Sequence, residues 1–224
     1  MENKKYEFVP ESEITICRGT TLMRIRALRD FGDVKKGDIG GYIQFEENLS
    51  HEGNCWVYGD ARVYGEAGVF DNAKVFDNAG VYGDARVFGG AEVYGDARVY
   101  GDARVYDNAR VYDDARVYDN ARVYDDARVL GDARVFGGAR VFGDARVYGD
   151  AEVKGAEDYI VFKNWWSSGR YFTWTRSNNM WRVGCFYGTG EELIKKAYAD
   201  SERSGREYER IVKYVEDILR DERK

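Results

Sequence analysis

The chain predicts a mainly β fold: a parallel β-helix of hexapeptide repeats between an N-terminal β cap and a small C-terminal α+β domain. Three observations predict it. Valine recurs at every sixth position from Val57 to Val153, seventeen times without an insertion. The unit around it, typified by Val-Tyr-Gly-Asp-Ala-Arg, alternates apolar with charged or aromatic residues and then turns. The pattern dissolves on both flanks, where longer strand-like and helix-like segments begin. A fixed short period means stacked identical units. Six is the period of a hexapeptide β-helix, not of a helical array, a propeller or a nonapeptide calcium roll.

Each element follows from its residues. Ala103-Arg104-Val105-Tyr106 predicts a four-residue strand with Ala and Val inward and Arg and Tyr outward. The next pair is Gly-Asp, Asp-Asn, Asp-Asp or Gly-Gly almost throughout, residues that tolerate positive φ or cap their own backbone at a corner. Three strands and three corners close a triangular coil of eighteen residues. Residues eighteen apart then stack at about 4.8 Å, so Val87, Val105, Val123 and Val141 form one internal column. Seventeen units make between five and six coils, a prism about 27 Å long whose Val and Ala interior has no room for a ligand. Its open ends require caps.

Residues 1–56 are assigned to one cap: short strands over Ile14–Ile16, Leu22–Leu28 and Ile39–Phe45, a turn at Asp33–Gly37 and a helical turn over 46–50, with Trp56 covering the first coil. The β-helix takes 57–156 and the α+β domain 157–224. In the latter, Tyr159–Trp165, Tyr171–Thr175 and Trp181–Tyr187 read as three strands. Thr189 caps a first helix, and a second begins near Glu207 with Tyr208, Ile211, Val212, Val215, Ile218 and Leu219 on one stripe.

The small-x-aliphatic triplet followed by a corner pair resembles the signature of the bacterial hexapeptide-repeat proteins, except that aromatics fill the usually small position after the valine. The resemblance implies a left-handed β-helix, against the right-handed rule for ordinary crossovers. Leu22–Ile43 and Glu46–Ala61 are similar, more specifically, to the N-terminal module of phage and prophage hexapeptide proteins of the YdcK-like group; with the repeats, this covers about two thirds of the chain. Gly184–Leu193 resembles C-terminal segments of phage-borne proteins.

Composition narrows the function classes. No run of eighteen apolar residues exists, and charges occupy the start of the chain, so a cytoplasmic protein without membrane contact is expected. The net charge of −6 conceals local balance between Asp and Arg in each repeat, which argues against nonspecific nucleic-acid binding. Cys17, Cys55 and Cys185 are odd in number, far apart and outside any C-x-x-C pair; ordinary thiols in packed strands are expected rather than disulfides or zinc ligands. No cofactor is expected.

Many relatives in the hexapeptide family transfer acyl groups with a histidine base and loops that protrude from the coils. This chain has one histidine, His51, placed before the first coil, and repeats without loops. His51 is therefore assigned a cap or surface role, with acyl transfer from an acyl-CoA donor as the alternative. Asp113-Asp114 and Asp125-Asp126 are read as turns compensated by Arg116 and Arg128 rather than as calcium ligands. Eleven repeats place Arg before the valine and fifteen place Tyr or Phe after it. These columns, Arg104, Tyr106, Arg122 and Tyr124 among them, suit Arg–aromatic and Asp–Arg ladders or self-association as a dimer or trimer. Trp165, Trp166, Trp174 and Trp181, with Arg170 and Arg176, are the candidates for contact with a host protein partner; one face of the sheet is expected to pack on the two helices and take about half of these rings into the core, which leaves as contacts those on the opposite face. The expected function is a non-enzymatic scaffold.

Overall fold

The computed structural model describes residues 4–222. Four strands open the chain: β1 (Tyr6–Phe8), β2 (Ile14–Thr15), β3 (Thr21–Ala27) and β4 (Ile39–Ile43). Seventeen two-residue strands, β5 to β21, follow at six-residue intervals from Trp56–Val57 to Glu152–Val153. They stack into three parallel faces. The first holds β5, β8, β11, β14, β17 and β20; the second holds β6, β9, β12, β15, β18 and β21; the third holds β7, β10, β13, β16 and β19. Neighbours are in register at eighteen residues, as in Val87↔Val105 and Val105↔Val123. Every repeat alanine from Ala61 to Ala151 and every repeat valine is at most 1% exposed. The repeat region is thus the β-helix its period predicts, with a filled aliphatic core.

The strands are shorter than predicted because the aromatic residue serves two structures. Tyr106 N–H donates to Val123 O at 3.0 Å, continuing the ladder, while its carbonyl accepts from Ala109 N–H at 3.3 Å and closes the corner. The first corner residue takes positive φ, +67° at Gly101 and +58° at Asp107. Six aspartates adopt this conformation: Asp71, Asp77, Asp107, Asp113, Asp119 and Asp125. For a non-glycine residue it costs on the order of 1 kcal/mol or more. The offset lies one coil on. The Asp71 carboxylate accepts from Gly89 N–H at 3.1 Å, and Asp125 from Gly143 N–H at 3.0 Å, so an otherwise idle corner amide finds a charged acceptor. This corrects the Asp–Arg ladders expected from sequence. Asp113 and Asp125 face backbone amides rather than Arg116 and Arg128, and the ion pairs between repeats are Arg110–Glu92 and Arg134–Glu152.

Both ends are closed. At the N-terminus β3 pairs antiparallel with β4, β4 pairs parallel with β6, and β1 adds an antiparallel edge, so the second face continues into the cap. β1 has no counterpart among the strands predicted from sequence. Trp56 is buried against Phe31 and Tyr6 as a lid on the first coil. Asn48, also buried, accepts from the Gln44 and Phe45 amides and donates to Gly65 O and Ala67 O. At the other end the next coil is missing, and hydroxyls replace its carbonyls. Arg146 N–H donates to Thr173 Oγ1 at 2.9 Å and Glu152 N–H to Ser177 Oγ at 2.7 Å, where earlier repeats use an alanine carbonyl.

The C-terminal sheet has four antiparallel strands rather than three: β22 (Tyr159–Lys163), β23 (Tyr171–Thr175), β24 (Met180–Val183) and β25 (Phe186–Gly188). The third predicted strand breaks at Gly184, whose φ of +58° makes a tight reversal. Helix α1 (Gly190–Asp200) begins at the predicted cap, where Thr189 accepts from Glu192 N–H and Glu192 reaches back to Thr189 N–H. Helix α2 (Glu202–Asp221) starts about a turn before the expected position. Ser201 caps it, and Gly205 lets it pass close to the Tyr198 ring of α1. No helix among the described residues is long and apolar enough to cross a membrane.

Candidate functional site

His51 sits at the N-terminal end of the prism in a cleft of about 800 Å³ lined by Lys4, Arg29, Glu46, Ser50, His51 and Phe70, among others. Its ring stacks on Tyr6 at 4.4 Å between centroids. Nδ1 accepts from Lys5 N–H at 3.1 Å, so the neutral ring carries its proton on Nε2, which meets Glu46 Oε1 at 2.7 Å. Glu46 also accepts from Lys4 Nζ at 2.6 Å; Lys4 first and His51 second hold its carboxyl below the usual range. A carboxylate orienting an imidazole is half of a general base. The other half, a ring nitrogen with a lone pair free for substrate, is occupied by the Lys5 amide. The sequence could not reveal this arrangement, because Lys5 and Glu46 reach His51 only through folding of the cap.

Beneath the cleft, Lys5 is buried with its ammonium donating to Cys55 O at 2.9 Å and Cys55 Sγ at 3.2 Å. Burial pushes the Lys5 amine down and the Cys55 thiol up, the pattern of an inert structural pair. Cys55 is the packed thiol expected; Cys17 and Cys185 are exposed instead. Among the described residues no group of three or more His, Cys, Asp or Glu side chains could hold a metal ion.

The aromatic columns outside the prism stack on themselves. Phe88, Tyr106, Tyr124 and Phe142 run up the third face at 4.9, 5.0 and 5.3 Å with nearly parallel planes. Tyr64, Tyr82, Tyr100, Tyr118 and Phe136 do the same on the second. Ring faces are consumed by neighbours and edges point outward, so the repeat arginines lie beside the ladder rather than on it. Arg104 is exposed, Arg122 half-buried.

The C-terminal candidates separate. Trp166, Trp174 and Trp181 belong to the core beneath α1 and α2, with Phe172, Leu193, Tyr208 and Val212, and are corrected from contact residues to packing. Trp174 donates its Nε1–H to Asn179 Oδ1 at 2.9 Å. Arg176 is committed to a bidentate pair with Glu222 at 2.6 and 3.2 Å. Trp165 remains 72% exposed, with the Arg203 guanidinium 6.0 Å from its ring centre, and Arg170 is exposed beyond the following loop.

The geometry agrees with comparison to known proteins. Residues 91–107, 103–119, 115–131 and 121–137 match the YdcK β-solenoid repeat family. The repeat region is a hexapeptide β-solenoid. The uncharacterized acetyltransferase YdcK of Escherichia coli (strain K12) is 46% identical over 41 residues, which is 18% of this chain and 13% of that protein. The likeness therefore reaches only a short part of either molecule.

Proposed function

We propose that this chain is a non-enzymatic β-solenoid scaffold that acts through protein–protein contact. The observation that carries this reading is the uninterrupted prism: seventeen units with a filled interior, no protruding loop, and a single histidine whose ring nitrogens are both engaged. The proposed setting is cytoplasmic and phage or prophage encoded, after the resemblance of the N-terminal module; the proposed partner is a host protein, with inhibition of a defence complex as the effect. The surface best suited to it is around Trp165 and Arg170, since these side chains are exposed and unique, whereas the repeat faces present nearly identical units on which a partner could slip by one coil.

A second reading, acyl transfer from an acyl-CoA donor, is favoured by the designation of the YdcK relative as an acetyltransferase and by the His51–Glu46 pair beside an open cleft. Capture from host lysate by the immobilised full chain tests the first reading. A host protein retained by the parent and lost on Trp165→Ala with Arg170→Ala is expected. Capture unchanged in that folded variant would move the contact to the repeat faces, and no retained protein would contradict the scaffold.

A further inference from the structure

Two rows of opposite charge run along the prism on opposite sides, at the same pitch. On the third face Arg86, Arg104, Arg122 and Arg140 are paired in register through β10, β13, β16 and β19. Among the described residues none of the four joins an ion pair; those involving the coils are Arg24–Asp60, Lys74–Asp33, Arg110–Glu92 and Arg134–Glu152. The other row is the corner between the first and second faces, where Asp96, Asp114, Asp132 and Asp150 follow one another eighteen residues apart, all exposed. Asp150 accepts from Asn178 Nδ2 at 2.9 Å; among the described residues Asp96, Asp114 and Asp132 have no cation within 4.0 Å. Because the faces succeed one another around a triangle, that corner lies opposite the third face.

The pitch is measured by the rings beside each row: Phe88–Tyr106 and Tyr106–Tyr124 at 4.9 and 5.0 Å near the arginines, Phe76–Tyr94 and Tyr94–Tyr112 at 4.6 and 4.8 Å near the aspartates. Like charges held about 5 Å apart repel, and a partner relieves the whole row only if it carries opposite charge at the same interval. Duplex phosphates come about every 3.4 Å along each strand and fall out of step with such a row. Stacked rings that show only their edges offer no platform for bases. A two-fold contact between third faces would oppose arginine to arginine. A second copy of this chain, through its aspartate corner, has the required sign and pitch.

We propose that the arginine row of one copy docks along the aspartate corner of a second copy with the prism axes aligned. This deepens the scaffold reading and rests on it. These are the longest rows of each sign without an ion pair among the described residues, beside shorter ones at Arg98 and Arg116 on the second face and at Glu66, Asp84 and Asp102 on the corner between the second and third faces; because the two long rows lie on opposite sides of each copy, the contact between them is heterologous and does not close, and assembly is an open lateral row rather than a dimer or trimer.

Sedimentation velocity of the full chain tests this at about 0.01 M and about 1 M salt, where the Debye length is roughly 30 and 3 Å. The sedimentation coefficient is expected to climb with protein concentration at low salt and to return to that of a monomer at high salt. Arg104→Glu with Arg122→Glu, and separately Asp114→Lys with Asp132→Lys, should each give monomers with parental circular dichroism. Mixing these two variants should restore assembly, because each now complements the other and not itself. If a reversed pair fails to fold, the neutral pairs Arg104→Gln with Arg122→Gln and Asp114→Asn with Asp132→Asn should still lower the association. A monomeric parent at low salt, a closed oligomer indifferent to salt, folded variants that associate like the parent, or a mixture that stays monomeric would each overturn the proposal. Acyl transfer by an intact row would sink the scaffold reading alone.

Discussion

Val105 and Arg104 are chain neighbours with opposite tasks: one is fully buried in a column of valines, the other stands in solvent beside the ring ladder. Val105→Asp places an unpaired charge between stacked coils and is expected to cost several kcal/mol in thermal unfolding, with Arg104→Ala within about 0.5 kcal/mol of the parent. The reverse order would mean the faces are inverted. At the cap, Asn48→Ala removes both donors to Gly65 O and Ala67 O and should destabilise by about 1–3 kcal/mol in the same assay. The valine is plain from its period alone. The corner aspartates are not: Asp107 reads as a turn former or an ion-pair partner, and its actual bond, to the amide of Asp125, requires knowing which atoms one coil further on are left idle.

At the scale of elements, the tyrosine ladders tie stability to pH. Burial raises Tyr64, Tyr82, Tyr94, Tyr106, Tyr112 and Tyr118 above the ordinary phenol value. The folded chain therefore holds protons that the unfolded chain releases near pH 10. Their contribution is complete below about pH 10 and is lost as pH rises through the folded values. Spectrophotometric titration should show these phenols ionising late and together with loss of the β signal. Independent titration of all tyrosines near pH 10 in the folded chain would contradict the stacking. Helix α1 and its Thr189 cap were readable because a capping box is local in sequence. The early start of α2 was not, since Ser201 and Gly205 look like loop residues until Tyr198 is seen packed against Gly205.

For the whole molecule, period six was enough to derive the prism, but the ends and the candidate site depend on contacts far apart in the chain. Thr173 and Ser177 supply the hydroxyls that finish the last coil, and nothing in a strand pattern marks a side chain as the substitute for a missing backbone carbonyl. The tryptophans are legible only in part for a related reason: helices packing on one face of the sheet were expected to bury some of them, but that Trp166, Trp174 and Trp181 are the buried ones and Trp165 the exposed one depends on how the helices dock. His51 matters most to the proposed scaffold, because the enzyme reading requires a ring nitrogen free for substrate and the Lys5 amide holds one of the two. Calorimetric titration of the full chain with acetyl-CoA measures that directly. The account predicts no saturable heat, for the parent and for His51→Ala alike; a micromolar dissociation constant in the parent, abolished by His51→Ala, would contradict it.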